Sequence, residues 1–479
     1  MNKKFIGLIA VSLVFALVLS VSFVGCVERP EVASDGEWDG KEEFTPSTGI
    51  GKDTVDLSGR YTNYEEEASL AFKFNSVSSE SDFTVSDYED GVIIDGYIGN
   101  DDIIIIPESI GGKAVLAIGE NVFLTTLISA VYVPDSVTYI EKGAFYNNTD
   151  KNDKLVTLRL PFVGDGKEIT YLGHIFGSNG YSYHAVKVPV SLDMVIIGSK
   201  TTKIDDNAFA GCKSLSAVVL PDSVESIGAF TFYECEDLVY INAHGVKSIG
   251  EYAFGYCKAL YSMSFEDAEN IDLGALYECN ALYSLTIPFV GGSETENRYI
   301  GYIFGAESAD HNSQFVPHSL YSVSVSGCAE IPDRAFASCQ YIGEFDLDEG
   351  IEKFGVRAFY SCRSLVEIAM PESLKVISDD AFFGCDNLMI VDLGGVSEIG
   401  MQAFYGCRAL TSVAIPDGVT EIKPSTFALC SSLKSVELNN VKKVGKDAFY
   451  KCDALEAVDC SGIEVADGNE ALVLIAPGE

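Results

Sequence analysis

The sequence predicts an α/β solenoid: a right-handed stack of repeats with a parallel β-sheet along one face and short helical turns along the other. Three observations predict it. Phe209, Phe232 and Phe254, with Leu276 in the same slot, and then Phe336, Phe359, Phe382, Phe404, Phe427 and Phe449 recur every 22 or 23 residues, with one gap of 60. Ten of the thirteen cysteines stand three residues after these positions, at Cys212, Cys235, Cys257, Cys279, Cys339, Cys362, Cys385, Cys407, Cys430 and Cys452. Each unit then changes from helix-like to strand-like spacing, as one supersecondary element per repeat requires.

From the N-terminus, residues 1–25 read as an export signal, because Lys3 and Lys4 precede an uncharged apolar run from Phe5 to Val24. Phe23-Val24-Gly25-Cys26 resembles the lipobox of bacterial lipoproteins, with Phe23 in place of the usual leucine. That resemblance implies lipidation of Cys26 and a chain held at the extracellular face of the cell membrane. The run is also long enough to span a bilayer, so an uncleaved anchor is the rival reading. Residues 26–59 are rich in Glu, Asp, Gly, Ser, Thr and Pro without apolar periodicity and read as a flexible stalk, which carries the only tryptophan, Trp38.

The repeat is clearest over Ile399 to Val419. Ile399, Ala403, Phe404, Cys407 and Leu410 follow helix-like intervals, so a short helical turn is expected there. Leu410, Val413 and Ile415 then lead to Pro416, an alternation that suits a short strand ended by a residue that cannot donate to a ladder. Asp417-Gly418 turns the chain into the next coil. A single unit buries too few side chains to offset the entropy of ordering itself, so the coils must stack to be stable.

Two units are longer, over residues 161–203 and 288–330. Pro161-Phe162-Val163-Gly164, Tyr171-Leu172-Gly173-His174-Ile175-Phe176-Gly177 and Val188-Pro189-Val190-Ser191-Leu192 return as Pro288-Phe289-Val290-Gly291, Tyr299-Ile300-Gly301-Tyr302-Ile303-Phe304-Gly305 and Val316-Pro317-His318-Ser319-Leu320. The insertion is therefore itself a repeated module, with polar loops offered as contact points.

The unit Ile-x-x-x-Ala-Phe-x-x-Cys-x-x-Leu-x-x-Val-x-Ile-Pro resembles the BspA-type leucine-rich repeats of bacterial surface proteins over about Ile118 to Cys460. The resemblance implies a right-handed leucine-rich-repeat solenoid over residues 118–460. Residues 60–117, with Gly96-Tyr97 and Ile106-Pro107 before Ile118-Gly119, then form an N-terminal entry and capping region, and residues 461–479 a C-terminal cap. It also implies display at the cell surface and adhesion through protein–protein contact.

Composition narrows the partners. A formal net charge of −39 repels phosphate backbones and anionic headgroups, so nucleic acid is excluded as a partner. No Cys-x-x-Cys or paired His accompanies the slot cysteines, and no metal is expected there. Stacked coils would set their Cα atoms about 4.8 Å apart, within disulfide range, but with parallel Cβ vectors that disfavour bridging. They read as small buried hydrophobes. Cys328 and Cys460 fall outside the slot and are the candidates for reactive thiols, although Cys460, which replaces the aliphatic third position of its strand, reads rather as core.

The histidines His174, His184, His244, His311 and His318 sit in unrelated contexts, and no nucleophile elbow or phosphate loop occurs. Gly111-Gly112-Lys113-Ala114 reads as a turn, and the acidic runs at Asp346–Glu349 and Asp150–Asp153 lack calcium-loop order. No cofactor and no catalytic set is expected, so the chain reads as a binding protein and not an enzyme.

Strand alternation points one residue on each side of the central apolar residue outward. Those positions nominate Tyr240, Asn242, Ser264, Thr286, Glu344, Asp346, Glu367, Asp392 and Glu437 as ligand-binding residues, with carboxylates concentrated after the second insertion. The favoured partner is a protein of basic character. The alternative is a surface glycan, motivated by Tyr240, Tyr261 and Tyr283 near adjacent strands.

Overall fold

Alternating apolar and polar residues beside a turn favour a short strand, and here each such strand lies next to the equivalent strand of the following coil. In a computed structural model of the chain, the described residues are 75–123, 128–146, 154–456, 458 and 460–472. The expected export signal, Cys26, the expected stalk with Trp38 and the Asp150–Asp153 loop lie outside them.

The chain enters through two antiparallel pairings, Phe83–Tyr88 with Gly91–Tyr97 and Ser109–Ile110 with Lys113–Ile118. All later pairings are parallel. The predicted strands form the first row of the solenoid: Ile103–Ile105, Ala130–Tyr132, Thr157–Leu160, Met194–Ile197, Ala217–Val219 and Tyr240–Ile241 pair in that order. Ser262–Ser264, Ser284–Ile287, Ser322–Val325 and Glu344–Leu347 continue the row, then Glu367–Ile368 with Ile390–Val391, and Ser412–Ala414 with Ser435–Glu437. Register puts like on like. Met263, Leu285, Val323 and Phe345 are successive partners, and all four are buried.

A second parallel row, not anticipated from the sequence, runs through two-residue strands. Lys203–Ile204, Ser226–Ile227, Ser248–Ile249 and Asn270–Ile271 form one stretch of it, and Glu330–Ile331, Lys353–Phe354, Val376–Ile377 and Glu398–Ile399 another. Glu421–Ile422, Lys443–Val444 and Glu464–Val465 complete it.

The Ala-Phe-x-x-Cys segments, expected as short helical turns, are not helices. Their amides alternate in direction. Ala208, Ala210 and Cys212 donate back three residues within their own coil, whereas Asn207, Phe209 and Gly211 donate to Ala229, Thr231 and Tyr233 of the next coil at 2.7–3.0 Å. An α-helix would use all these donors internally and leave the coils unlinked on that side. The alternation requires left-handed backbone at two slots four residues apart, such as Asn207 (φ 58°) and Gly211 (φ 76°), or Asp380 (φ 58°) and Gly384 (φ 69°). Helical pieces among the described residues are short. Apart from Glu80–Asp82 they fall in the two long units, as in Tyr181–Lys187, Ile300–Phe304 and the single α-turn Asn312–Phe315.

The core is a column of stacked rings. Phe209, Phe232 and Phe254 stack at 5.1 and 5.2 Å, and Phe336, Phe359, Phe382, Phe404, Phe427 and Phe449 at 5.0–5.7 Å with planes within 14° of parallel. Offset stacking of this kind adds to the area buried. Beside it, eight of the ten slot thiols donate to the phenylalanine carbonyl of the preceding coil, as Cys235 does to Phe209, Cys385 to Phe359 and Cys430 to Phe404, at 3.1–3.2 Å. All ten slot cysteines are buried and unbridged.

The two long units repeat each other in detail. Gly164 (φ +86°) and Gly291 (φ +96°) each bring the chain so close to a loop carbonyl, that of Ile169 or Asn297, that a Cβ would lie 1.9 Å from it. Only glycine fits. In the first unit the buried His184 accepts from the Gly173 amide and donates from Nε2 to the Asn207 carbonyl at 3.0 Å. In the second, Asn312 plays that part, accepting from Gly301 at 2.9 Å and donating to the carbonyls of Arg334, Ala335 and Ala337.

Candidate functional site

The outward side of the first row changes character along the stack. In its early strands Ala217 and Met194 are buried, and Arg159 lies over the Tyr132 ring and pairs with Asp135. Ser264 and Thr286 are half-buried, and Ser264 Oγ donates to Glu266. From Glu344 onward the face opens. Glu344, Asp346, Glu367, Asp392 and Glu437 are all exposed, and the other residues of the same two columns, Ala369, Ile390, Ser412, Ala414 and Ser435, are exposed as well, all but Ile390 small.

Asn242 departs from expectation. It is only 6 % exposed, and its amide turns inward to accept from the Leu220 amide and donate to the Leu220 carbonyl, both at 2.7 Å. A side chain that matches a backbone donor and acceptor is held in the stack, so Asn242 ties two coils together and does not face a ligand.

Tyrosines lie just outside this face. Tyr261 and Tyr283 stack at 5.2 Å with planes 4° apart, and Tyr283 and Tyr321 at 5.6 Å and 18°. The rings cover one another's faces, so the shallow aromatic platform expected for sugar recognition is not formed by Tyr261 and Tyr283. Tyr240, also nominated for it, is half-buried in its strand.

Charge pairing distinguishes the two rows. On the second, Lys353 and Lys443 reach Glu330 and Glu421 of the neighbouring coil at 3.5 and 2.8 Å, and Lys423 reaches Glu398 at 2.6 Å. Hydrogen bonds from Lys213 and Lys258 hold the Glu236 carboxyl below the usual carboxylate range, and Arg298 does the same for Glu330. On the first row, none of Glu344, Asp346, Glu367, Asp392 and Glu437 has a lysine or arginine within ion-pair distance among the described residues. This unneutralised face was legible as acidic from the sequence, but its lack of partners was not, because pairing depends on which residues 22 or 23 positions away come to lie alongside.

Cys328, expected as a reactive thiol, is corrected, and Cys460 lies in the core as its strand position predicts. Cys328 is 8 % exposed, with burial pushing its thiol up to about 11, and Cys460 is 7 % exposed. Neither is presented to solvent as a reactive thiolate must be. Among the described residues no group of three or more His, Cys, Asp or Glu side chains is placed to hold a metal ion, and no helix is long and apolar enough to cross a membrane.

The chain is similar to a leucine-rich repeat protein from Bacteroides ovatus, at 19% identity over 75% of this chain and 99% of that one, TM-score 0.37. A leucine rich cell surface protein from Faecalibacterium prausnitzii is 23% identical over 76% and 94%, TM-score 0.26, and the pneumococcal vaccine antigen PcpA is 17% identical over 83% and 94%, TM-score 0.24. No curated protein matches the chain. The family model for the BspA type leucine rich repeat region matches in six copies over residues 104–155, 185–294 and 329–456, more than half of the sequence. The chain belongs to the BspA-type leucine-rich repeat family.

Proposed function

We propose that this protein is a cell-surface binding or adhesion protein that captures a protein partner of basic character on the open face of its first strand row. The observation that carries the reading is the set of five exposed carboxylates without cationic partners among the described residues, against a second row where Lys353, Lys423 and Lys443 pair with glutamates of the neighbouring coil. Such a face steers cationic surfaces toward it and rejects anionic ones. The reading of residues 1–25 as an export signal and of Cys26 as a lipidation site supports placement outside the cell, tethered by lipid. A glycan partner is less favoured, since Tyr261 and Tyr283 spend their faces on stacking.

The test uses the chain without its lipid, from Leu57 onward, against extracellular proteins graded by charge, with affinity measured between 50 and 300 mM salt. Basic proteins should bind more tightly, weaken as salt rises, and lose affinity to the Glu344→Gln/Asp346→Asn/Glu367→Gln variant. Affinity unchanged by those substitutions would reject the site.

A further inference from the structure

Thirteen large hydrophobic side chains are exposed among the described residues, and six of them gather in one place. Tyr283, Tyr321, Val366 and Met389 follow a buried Leu in successive coils, with Gly343 in the same slot after Ile342; Ile390 is next along its strand, and Tyr341 lies against His318 nearby. Hydrogen bonds from each coil to the one before link this column: Tyr321 to Tyr283, Gly343 to Tyr321, and Met389 to Val366. At 44, 44 and 60 % exposed, Val366, Met389 and Ile390 form an apolar strip left uncovered among the described residues. It borders the carboxylate columns directly, since Glu367 and Ile390 are paired neighbours in one ladder.

The spacing of the charges selects the shape of an occupant. Asp346, Ala369, Asp392, Ala414 and Glu437 occupy one slot in five successive coils, so carboxylates recur every second coil, about 9.6 Å apart at strand spacing. An extended chain laid along the solenoid presents one side every 6.6 or 13.2 Å, approximately, and matches neither. A helix repeats the same side every seven residues, about 10.5 Å, a difference that lysine and arginine side chains absorb. Its diameter of about 10 Å also spans the two residues between the column of Val366 and Met389 and this acidic slot.

Building on the protein-binding reading above, we infer that this edge of the first row docks an amphipathic basic helix lying along the solenoid axis. Its apolar stripe rests on Val366, Met389 and Ile390, and its cations at heptad spacing meet Asp346, Asp392 and Glu437.

Three synthetic peptides test this by fluorescence anisotropy against the chain from Leu57 onward. One is a Leu/Lys helix with leucines on one face and lysines at heptad spacing, one has the same composition scrambled, and one has its leucines replaced by serine. The helix is expected to bind at least tenfold more tightly than the other two. Met389→Ser/Ile390→Ser should weaken it about tenfold with its salt dependence retained, whereas Asp346→Asn/Asp392→Asn/Glu437→Gln should flatten the salt dependence. All substituted positions are exposed, and a matching thermal melt confirms that each variant is folded. Equal binding of all three peptides would overturn the docked helix and leave the acidic-face reading standing. Tight binding indifferent to both variants would place the helix elsewhere and overturn the inference, and no binding by any of the peptides would count against both readings.

Discussion

His184 makes two hydrogen bonds that only a neutral ring can make together, accepting at Nδ1 and donating at Nε2. Burial lowers its imidazole to about 4, while the same group in the unfolded chain titrates near 6.5. Between those values the unfolded chain takes up a proton that the folded one refuses, so stability is complete above about 6.5 and falls as pH drops toward 4. The loss is on the order of 3 kcal/mol. The half-buried His174, also lowered by burial, adds in the same direction. His184→Asn, which installs the residue that Asn312 supplies in the second long unit, should flatten this part of the profile. Urea midpoints at pH 4.5 and 7 for both proteins decide it, and an unchanged difference between the two pH values would reject the assignment. The thiols make the opposite case, because burial raises Cys279, Cys385 and Cys452 to about 12. At pH 8 a disulfide reagent should label the slot cysteines only as fast as the chain unfolds, and rapid labelling of the native protein would contradict their burial.

At the scale of the element, the strand and the phenylalanine column were legible because alternation and a fixed 22- or 23-residue interval leave few other ways to bury Phe382 or Val413. The second row was not, since two residues such as Glu398–Ile399 are too few to display a period. The Ala-Phe turns imitate a helix in spacing because side chains three and four apart also share a side in a run of tight turns. Their left-handed backbone was hidden too: of twenty such slots in ten coils, only Gly211, Gly274, Gly384 and Gly406 are glycine. Two substitutions test these elements by chemical denaturation. Phe382→Ala removes a fully buried ring stacked on both sides and should cost about 3–5 kcal/mol. Lys451→Gly relieves a left-handed residue (φ 55°) at an exposed position and should gain about 0.5–1 kcal/mol, whereas Lys451→Val should lose stability. Of the nominated site residues, the five carboxylates lie where alternation put them, on an exposed surface. Asn242 misled because a polar residue in a strand reads as outward, and nothing in the sequence signals that the Leu220 backbone is waiting for it.

For the whole molecule, the decisive fact is that neighbouring coils can be bonded along three sides, as those of Phe359 and Phe382 are by the first row, the second row and the Ala-Phe turns. Phe359 and Phe382 occupy equivalent places 23 residues apart, with Arg357, Phe359 and Ser361 bonded to Asp379, Ala381 and Phe383. Excising Tyr360 to Phe382 joins matching positions and should yield a shorter array with a cooperative melt, whereas excising half that length should yield an unfolded or aggregated product. Circular dichroism and gel filtration separate the two, and equal tolerance would mean that the coils are not locked in register. The consequence reaches beyond any one variant. A gene for such a chain can grow or shrink only in whole windings, so the reach of the surface it displays is counted in integers.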